Sequence, residues 1–299
     1  MRRLPQIAFL PDGRRLHLQD GPIDLVVEAM GNTRDVSAAY DAAATRFTGL
    51  LDELCEELTE LRRAAEPDRC AMKGVVARRM HEAVAPFAAE CFITPMAAVA
   101  GSVAEEIMTT MLGAADLDRA YVNNGGDIAL HLTAGEQFTV GLMDRPDRLG
   151  VMRTMTIEAD DPIRGIATSG RHGRSFSLGI ADAVTVLART ASMADAAATV
   201  VANAVDLPGH PAVVRQPANE LQPDSDLGTR LVTRDVGALT ESEIENALEA
   251  GGDCARRLLA AGLIEGAALR LLGETIVVGG GKVRSQAYPD HRLRDVMHA

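Results

Sequence analysis

The feature that most constrains the fold is a series of short apolar segments, separated by glycine-containing turns, in the middle of the chain. In one of them Phe138, Val140 and Leu142 alternate with polar or small neighbours, the period expected of a half-buried strand. Connections this short join antiparallel neighbours. Strands of a largely antiparallel sheet are therefore predicted over residues 120–122, 128–132, 138–142, 151–157, 176–178 and 183–187.

Helical segments rich in alanine flank this series. Residues 96–112 are dominated by Ala, Val, Ile and Met, and Pro95 suits the start of a helix. The predicted fold class is α+β, with a largely antiparallel sheet flanked by Ala-rich helices. Helices are predicted over residues 34–63 (as one helix or two), 75–85, 96–112, 194–205 and 240–261. Hairpins are predicted over residues 6–18 and 269–278, a strand over 23–30, and a proline-rich connector over 208–223.

The composition indicates a globular protein. A length of 299 residues allows two intimate lobes or, as we predict, a single elaborated domain over residues 1–299. Apolar residues make up 47% and charged residues 24% of the chain, which allows a sizeable core. A net charge of -12 and an aromatic fraction of 3%, without Trp, argue against nucleic acid as a partner. Without a signal peptide or an apolar run of about 20 residues, the prediction is a cytoplasmic protein that makes no membrane contact. The four cysteines form no Cys-x-x-Cys pair, so no zinc or redox motif is predicted.

Three polar segments could carry chemistry. The first is Asn-Asn-Gly-Gly-Asp at positions 123–127, between two predicted strands. Its glycines let backbone N–H groups approach a ligand, and the Asn and Asp side chains can hydrogen-bond a ribityl chain, a ribose or a base. A hairpin turn capped by these side chains is the simpler interpretation.

The second segment is Thr-Ser-Gly-Arg-His-Gly-Arg-Ser at positions 168–175. Such a segment can hold a diphosphate, because Arg presents forked donors and glycine exposes backbone N–H groups. His172 is a candidate general base. A solvated polar loop is the alternative.

The third segment is Ala-Asp-Ala-Ala-Ala-Thr at positions 194–199. Asp195 and Thr199 project from one helical face and can supply two hard oxygen ligands to Mg²⁺, leaving positions for water, a backbone carbonyl and a substrate phosphate. The alternatives are structural. Ser192 and Asp195 have the spacing of a capping box, and Thr199 can bond back to the carbonyl of Asp195.

In this order the segments resemble the motifs of the ApbE-type FAD:protein FMN transferases. That family has Asn-x-Gly-Gly-Asp/Glu at a strand end, then Thr-Ser-Gly, a Val-Thr-Val strand and a helix that opens Ala-Asp-x-x-x-Thr, and the matching pieces here are residues 123–127, 168–170, 184–186 and 194–199. The family's Gly-Ile-Ala-Lys-Gly-Tyr-Ala-Val-Asp is similar to residues 98–106. The resemblance covers a core of about residues 94–206 and leaves 207–299 as a less certain C-terminal portion.

Two departures from the family pattern stand out. Gly101 occupies the position of the family's lysine, and the family's His-Ile-Ile-Asp-Pro-x-Thr-Gly loop is missing between Thr-Ser-Gly and the Val-Thr-Val strand. They place the chain in a diverged, cytosolic branch of the ApbE-like superfamily. Arg171, His172 and Arg174 are the predicted substitutes for the lost lysine charge.

The resemblance implies Mg²⁺-dependent transfer of FMN from FAD to an acceptor protein, or another reaction of a flavin nucleotide diphosphate. The implied metal ligands are Asp195, Thr199 and the backbone carbonyl of Ala100. Asp195 and the candidate base His172 form the predicted catalytic pair. The residues predicted to bind the nucleotide are Asn124, Gly125, Gly126, Asp127, Thr168, Ser169, Gly170, Arg171 and Arg174.

Two other classes of function stay open at this point. One is a diverged enzyme of the same fold, a hydrolase or ring-opening enzyme that acts on a small polar metabolite. The other is a non-catalytic flavin-binding or structural protein. The Ala-rich helices favour the structural alternative, because small residues suit close packing or a homodimer interface.

Overall fold

The computed structural model describes residues 4–145, 148–280 and 297–298 of the chain. Its strands in chain order are β1 (Gln6–Phe9), β2 (Leu16–Asp20), β3 (Ile23–Met30), β4 (Arg119–Asn124), β5 (Asp127–Leu132), β6 (Gln137–Arg145), β7 (Arg148–Glu158), β8 (Gly165–Ser169), β9 (Ala183–Ala188), β10 (Val213–Pro217), β11 (Leu231–Val236), β12 (Gly266–Leu271), β13 (Glu274–Gly279) and β14 (Met297–His298). Its helices are α1 (Thr33–Phe47), α2 (Leu50–Glu56), α3 (Leu58–Leu61), α4 (Val75–Val84), α5 (Val99–Ala114), α6 (Ala191–Ala204), α7 (Ala218–Leu221) and α8 (Glu241–Ala260), with 3₁₀ turns at Ala85–Phe87 and Pro95–Ala98.

One nine-stranded sheet organises the molecule, in the order β1-β2-β3-β4-β5-β8-β9-β12-β13. Every neighbouring pair in it is antiparallel. Helices α1 and α5 pack beside β2 to β5, and α6 and α8 pack beside β8, β9, β12 and β13. On the opposite face of β4 and β5, β6 and β7 contribute Phe138 and Ile157 to a separate core. The predicted α+β class with an antiparallel sheet and flanking helices is confirmed.

The alanines of α6 are used inside the protein. Ala194, Ala196, Ala197 and Ala198 are all fully buried against the sheet and the neighbouring helices. Small side chains let these elements approach closely, so these alanines form interior rather than an exposed surface. The homodimer stays a prediction. The alanines of α6 do not support it, because they are buried inside the protein.

Several predicted elements differ from the structure. The segment 34–63, predicted as one helix or two, forms three helices, and Gly49, with a left-handed φ of 90°, separates α1 from α2. The helix predicted to begin at residue 96 begins at Val99, after the 3₁₀ turn that Pro95 starts. The strand predicted over residues 176–178 is wrong: this segment bonds instead to the Asn203 side chain and to the N–H of Thr233.

Two elements have weak sequence signals. β8 is a sheet strand although its sequence, Gly-Ile-Ala-Thr-Ser, lacks a clear apolar alternation. The proline-rich connector contains β10 and α7, and β10 pairs with β11 in a separate two-stranded sheet. Tertiary pairing, which local propensity does not encode, decides both cases.

Candidate functional site

The site is built where the first turn of α5 meets α6, and Gly101 makes this contact possible. A Cβ atom at Gly101 would lie 2.2 Å from the Ala191 carbonyl oxygen and 3.0 Å from the Asp195 Cβ. Both contacts are with a neighbouring helix, and the nearer one is with its backbone. A lysine therefore has no room at this position unless the two helices separate.

Asp195 of α6 binds the first turn of α5. Its Oδ2 accepts a hydrogen bond from the Gly101 N–H at 2.9 Å, and its carboxylate is also bonded by the N–H of Ala100. The N-cap residue of α5, Ala98, has no side-chain cap, so these first-turn N–H groups need partners from elsewhere. The carboxylate supplies them and lies at the positive end of the α5 dipole.

The capping-box interpretation of Ser192 and Asp195 is wrong. Helix α6 begins at Ala191, and its N-cap is Thr190, whose side chain accepts from the Met193 N–H. Ser192 donates its hydroxyl hydrogen bond to Glu105 of α5 at 2.8 Å. Asp195 takes no part in this cap; it lies in the second turn of α6 and faces α5.

The Asn-Asn-Gly-Gly-Asp segment forms the turn between β4 and β5 and brings two side chains to the same place. Asn124 and Asp127 are directly paired across the strands. Asn124 is buried and donates from Nδ2 to the Ala100 carbonyl oxygen at 3.1 Å. Gly125 and Gly126 take φ values of 68° and 114°, which explains why glycine is needed at both turn positions.

Asp127 connects this turn to β8. Its Oδ1 accepts from the Thr168 N–H at 3.2 Å, and the Thr168 hydroxyl lies 2.9 Å from that of Thr185 on β9. Gly170 follows at the end of β8 with a φ of 149°, and a Cβ there would lie 2.6 Å from the Asp182 carbonyl oxygen. The first and second polar segments therefore meet at Asp127 and Thr168. Ser169 lies between Thr168 and Gly170, where no side chain has room.

The acidic cluster, which we define as Asp127 and Asp195, is electrostatically strained. Burial raises the pKa of Asp127 to about 7, against a smaller lowering by the Thr168 N–H and the charge of Arg174. Burial raises the pKa of Asp195 well above its usual range, and the negative charge of Asp127 adds to this rise. Two carboxylates that repel one another in this way are stabilised in their charged forms by a cation.

The oxygen donors at the acidic cluster fit a magnesium ion. Mg²⁺ sites in proteins commonly combine one or two carboxylates with water and substrate phosphates. The Ala100 carbonyl accepts one bond, from Asn124, and a carbonyl oxygen has a second lone pair. Thr199 lies one turn after Asp195 and is partly exposed. Within the described ranges no group of three or more His, Cys, Asp or Glu is placed to hold a metal, so this fit depends on neutral oxygens as well.

Arg174 lies over the glycine turn. Its guanidinium nitrogen is 2.0 Å from the place where a Cβ of Gly125 would be, and its Nη1 is 3.5 Å from the Pro22 carbonyl oxygen. Its positive charge reaches Asp127. Of the three predicted substitutes for the family lysine, Arg174 is the one whose charge acts on the acidic cluster.

Arg171 and His172 contact a residue that the sequence interpretation missed. Arg171 Nε donates to Asp182 Oδ1 at 2.8 Å, and His172 Nε2 lies 3.3 Å from the same oxygen. Asp182 Oδ2 accepts from the Leu272 N–H at 2.6 Å. Asp182 stands two residues before the Val-Thr-Val motif, immediately before β9, and this position was its only sequence signal.

The fold and this cluster define the chain as an α+β protein with an acidic site between two helix starts and a glycine turn. A family model described as AbpE bacteria matches residues 7–277. The chain belongs to this family, so the predicted placement in the ApbE-like superfamily is confirmed.

Individual relatives match over a shorter length. A UPF0280 protein of Methanopyrus kandleri is 38% identical over 128 residues, covering 43% of this chain and 48% of that protein. A UPF0280 protein of Methanococcoides burtonii is 40% identical over 130 residues, covering 40% and 49%. The chain thus spans about half the length of the curated relatives it matches.

One solved structure is similar over most of its length. The apo form of the Pseudomonas stutzeri flavinyl transferase ApbE is 12% identical, with a TM-score of 0.47 over 92% of this chain and 95% of that chain. Among the described residues, no helix has the length and apolar character needed to span a bilayer.

Proposed function

We propose that the chain holds a divalent cation, Mg²⁺, at the acidic cluster and binds the diphosphate of a flavin nucleotide there. The observation that supports this most directly is the convergence of Asp195, Asp127 and the Ala100 carbonyl at the first turn of α5. Asp195, Thr199 and the Ala100 carbonyl would hold the cation. A bound Mg²⁺ supplies charge neutralisation and a template for phosphoryl transfer.

The residues around the cluster have separate roles in this proposal. Asn124 orients the Ala100 carbonyl through its 3.1 Å hydrogen bond. The two glycines of the turn leave room for a phosphate or ribityl group to approach the backbone. Arg174 supplies a forked donor beside Asp127. We assign to Arg174 the charge role that the family's lysine has.

The proposed reaction is transfer of FMN from FAD to a hydroxyl group of an acceptor protein. An O–P bond forms between the acceptor oxygen and the FMN phosphorus, the bridging O–P bond breaks, and AMP leaves. The hydroxyl proton passes to a base, for which His172 is the candidate. Asp182 can hold the imidazole of His172 at Nε2, which leaves Nδ1 as the atom that accepts the proton.

The test is calorimetric titration of the protein with FAD, with and without Mg²⁺, followed by chromatographic detection of AMP after an acceptor is added. We expect Mg²⁺-dependent binding that Asp195→Asn weakens at least about tenfold, because one charged ligand is lost. The matched control is Asp52→Asn on the exposed face of α2. Equal FAD affinity with and without Mg²⁺ would contradict the proposal.

A second candidate function is favoured by the closed space at Gly101. Because no lysine fits against the Ala191 carbonyl, and Arg171 and His172 already contact Asp182, few cations remain for a diphosphate. A diverged enzyme of this fold that acts on a small polar metabolite, by hydrolysis or ring opening, needs fewer positively charged side chains than an enzyme that binds a diphosphate. Mg²⁺ binding that persists without any FAD binding would favour this second function.

A further inference from the structure

A cleft of about 1100 Å³ lies away from the acidic cluster. It opens where β2 stops pairing with β3, after the Leu16–Val27 pair. Beyond this point the Ala29 N–H donates to the hydroxyl of Tyr40 on α1 at 3.0 Å. The walls come from the β1–β2 turn, β3, α1, β4 and β6. Its volume is slightly above the roughly 300–1,000 Å³ that is usual for small-molecule sites.

The aromatic residues of the chain are concentrated in this cleft. The sequence has six Phe and three Tyr, and four of these nine residues, Phe9, Tyr40, Tyr121 and Phe138, line it. They form two edge-to-face pairs, Phe9 with Tyr40 at 5.6 Å and Tyr121 with Phe138 at 6.1 Å between ring centroids. Phe9 is 56% exposed. An aromatic side chain left open inside a cleft can cover a planar ligand.

A buried carboxylate lies among these rings. Glu28 is 9% exposed and is the cross-strand neighbour of Tyr121, with which it shares a hydrogen bond. Arg14 Nε lies 3.8 Å from Glu28 Oε1, on a side chain that is 63% exposed. A carboxylate has about four lone-pair sites, so Glu28 keeps capacity to accept hydrogen bonds from a ligand.

The two tyrosines of the cleft are buried, and their hydroxyl groups have hydrogen-bond partners. Burial, and then the charge of Glu28, raise the pKa of the Tyr121 phenol. The Tyr40 hydroxyl makes two hydrogen bonds. It accepts from the Ala29 N–H and donates to the Arg14 carbonyl oxygen at 2.6 Å. These rings therefore do not need to reorganise when a ligand enters.

We propose that this cleft binds a planar nitrogen heterocycle whose ring contacts the aromatic side chains and whose N–H edge donates to Glu28. The site is distinct from the acidic cluster. Side chains alternate along β4, so Tyr121 and Asn124 lie on opposite faces of the sheet. The inference does not depend on the proposed function.

The test uses two neutral probes without phosphate, riboflavin and adenosine, which distinguish a flavin-type ring from a purine. Each is titrated calorimetrically, without Mg²⁺, into the full chain, with tyrosine fluorescence as a second readout because two of the three tyrosines line the cleft. We expect one probe to bind, Glu28→Gln to weaken it about tenfold, and Phe9→Ala to weaken it about fivefold.

The matched control for Phe9→Ala is Val277→Ala, an exposed apolar residue on the other edge strand, which should leave the affinity unchanged. Phe9 is exposed enough that its removal should not prevent folding. Failure of both probes to bind, or binding that neither variant weakens, would overturn the inference. If Asp195→Asn lost binding and Glu28→Gln kept full binding, the ring would bind at the acidic cluster, and this outcome would also overturn the inference.

Discussion

Gly101→Ala is expected to destabilise the protein although the same change usually strengthens a helix. Ala exceeds Gly in helix propensity by about 1 kcal/mol. Here the new Cβ would start 2.2 Å from the Ala191 carbonyl oxygen, whereas real Cβ contacts are essentially never under 3.0 Å. The carbonyl belongs to the first turn of α6 and cannot rotate away, so the two helices must separate.

The expected net effect is a loss of about 1–3 kcal/mol in the free energy of unfolding, the usual cost of overpacking a core. Helix separation also lengthens the bond from the Gly101 N–H to Asp195, so Mg²⁺ affinity should fall with stability. Urea unfolding followed by circular dichroism measures the first effect, and calorimetric titration with Mg²⁺ measures the second.

The matched control is Gly113→Ala in the same helix. A Cβ at Gly113 meets nothing within 4 Å, so helix propensity alone acts, and stability should rise by about 0.5–1 kcal/mol. A Gly101→Ala protein as stable as the wild type, beside a stabilised Gly113→Ala protein, would refute the close contact between α5 and α6.

Three further outcomes are expected. Asp195→Ala should abolish any Mg²⁺-dependent activity and lower the melting temperature, because the α5 N–H groups lose their acceptor; unchanged activity would remove the proposed metal site. The pKa of Asp127 is raised from 3.8 to about 7, so between these pH values the folded state binds more protons than the unfolded state. The free energy of unfolding should therefore fall as pH rises from 4 to 7. Urea unfolding should show a smaller fall in Asp127→Asn, and an unchanged dependence on pH in this variant would contradict the prediction. Asp182→Ala leaves the Leu272 N–H without its acceptor and should cost about 1–3 kcal/mol, measured by urea unfolding against the exposed control Asp253→Ala; equal stability of the two variants would argue against this role.

The two sites use opposite faces of one strand. Asn124 of β4 hydrogen-bonds the Ala100 carbonyl beside the acidic cluster on the helical face, whereas the Tyr121 side chain lies on the other face and lines the aromatic cleft, which also reaches α1. A strand can serve two sites in this way because its side chains alternate. The two proposals can therefore fail separately, and the variants Asp195→Asn and Glu28→Gln distinguish them.

Much of the fold could be predicted from local sequence patterns. The period-two alternation and the glycine turns are local signals, and they located β4, β5 and β6. The strand over Ile23–Met30 was predicted with its observed bounds. The order of Asn-Asn-Gly-Gly-Asp, Thr-Ser-Gly and Ala-Asp-x-x-x-Thr was sufficient for the family, because motif order is a property of the chain itself.

The remaining features depended on contacts between residues distant in sequence. Gly101 looked like a lost lysine, and only the approach of α6 shows that the position has no room for any side chain. Asp182 acquired its role through Arg171 and through the Leu272 N–H, which is 90 residues away. The aromatic cleft joins residues from the first hairpin to β6, and no local pattern encodes that juxtaposition. Local sequence patterns determined most of the elements and the ancestry of this protein. Tertiary packing decided the remaining elements, and it decided which polar groups share a buried space and hence which of them can act on a ligand.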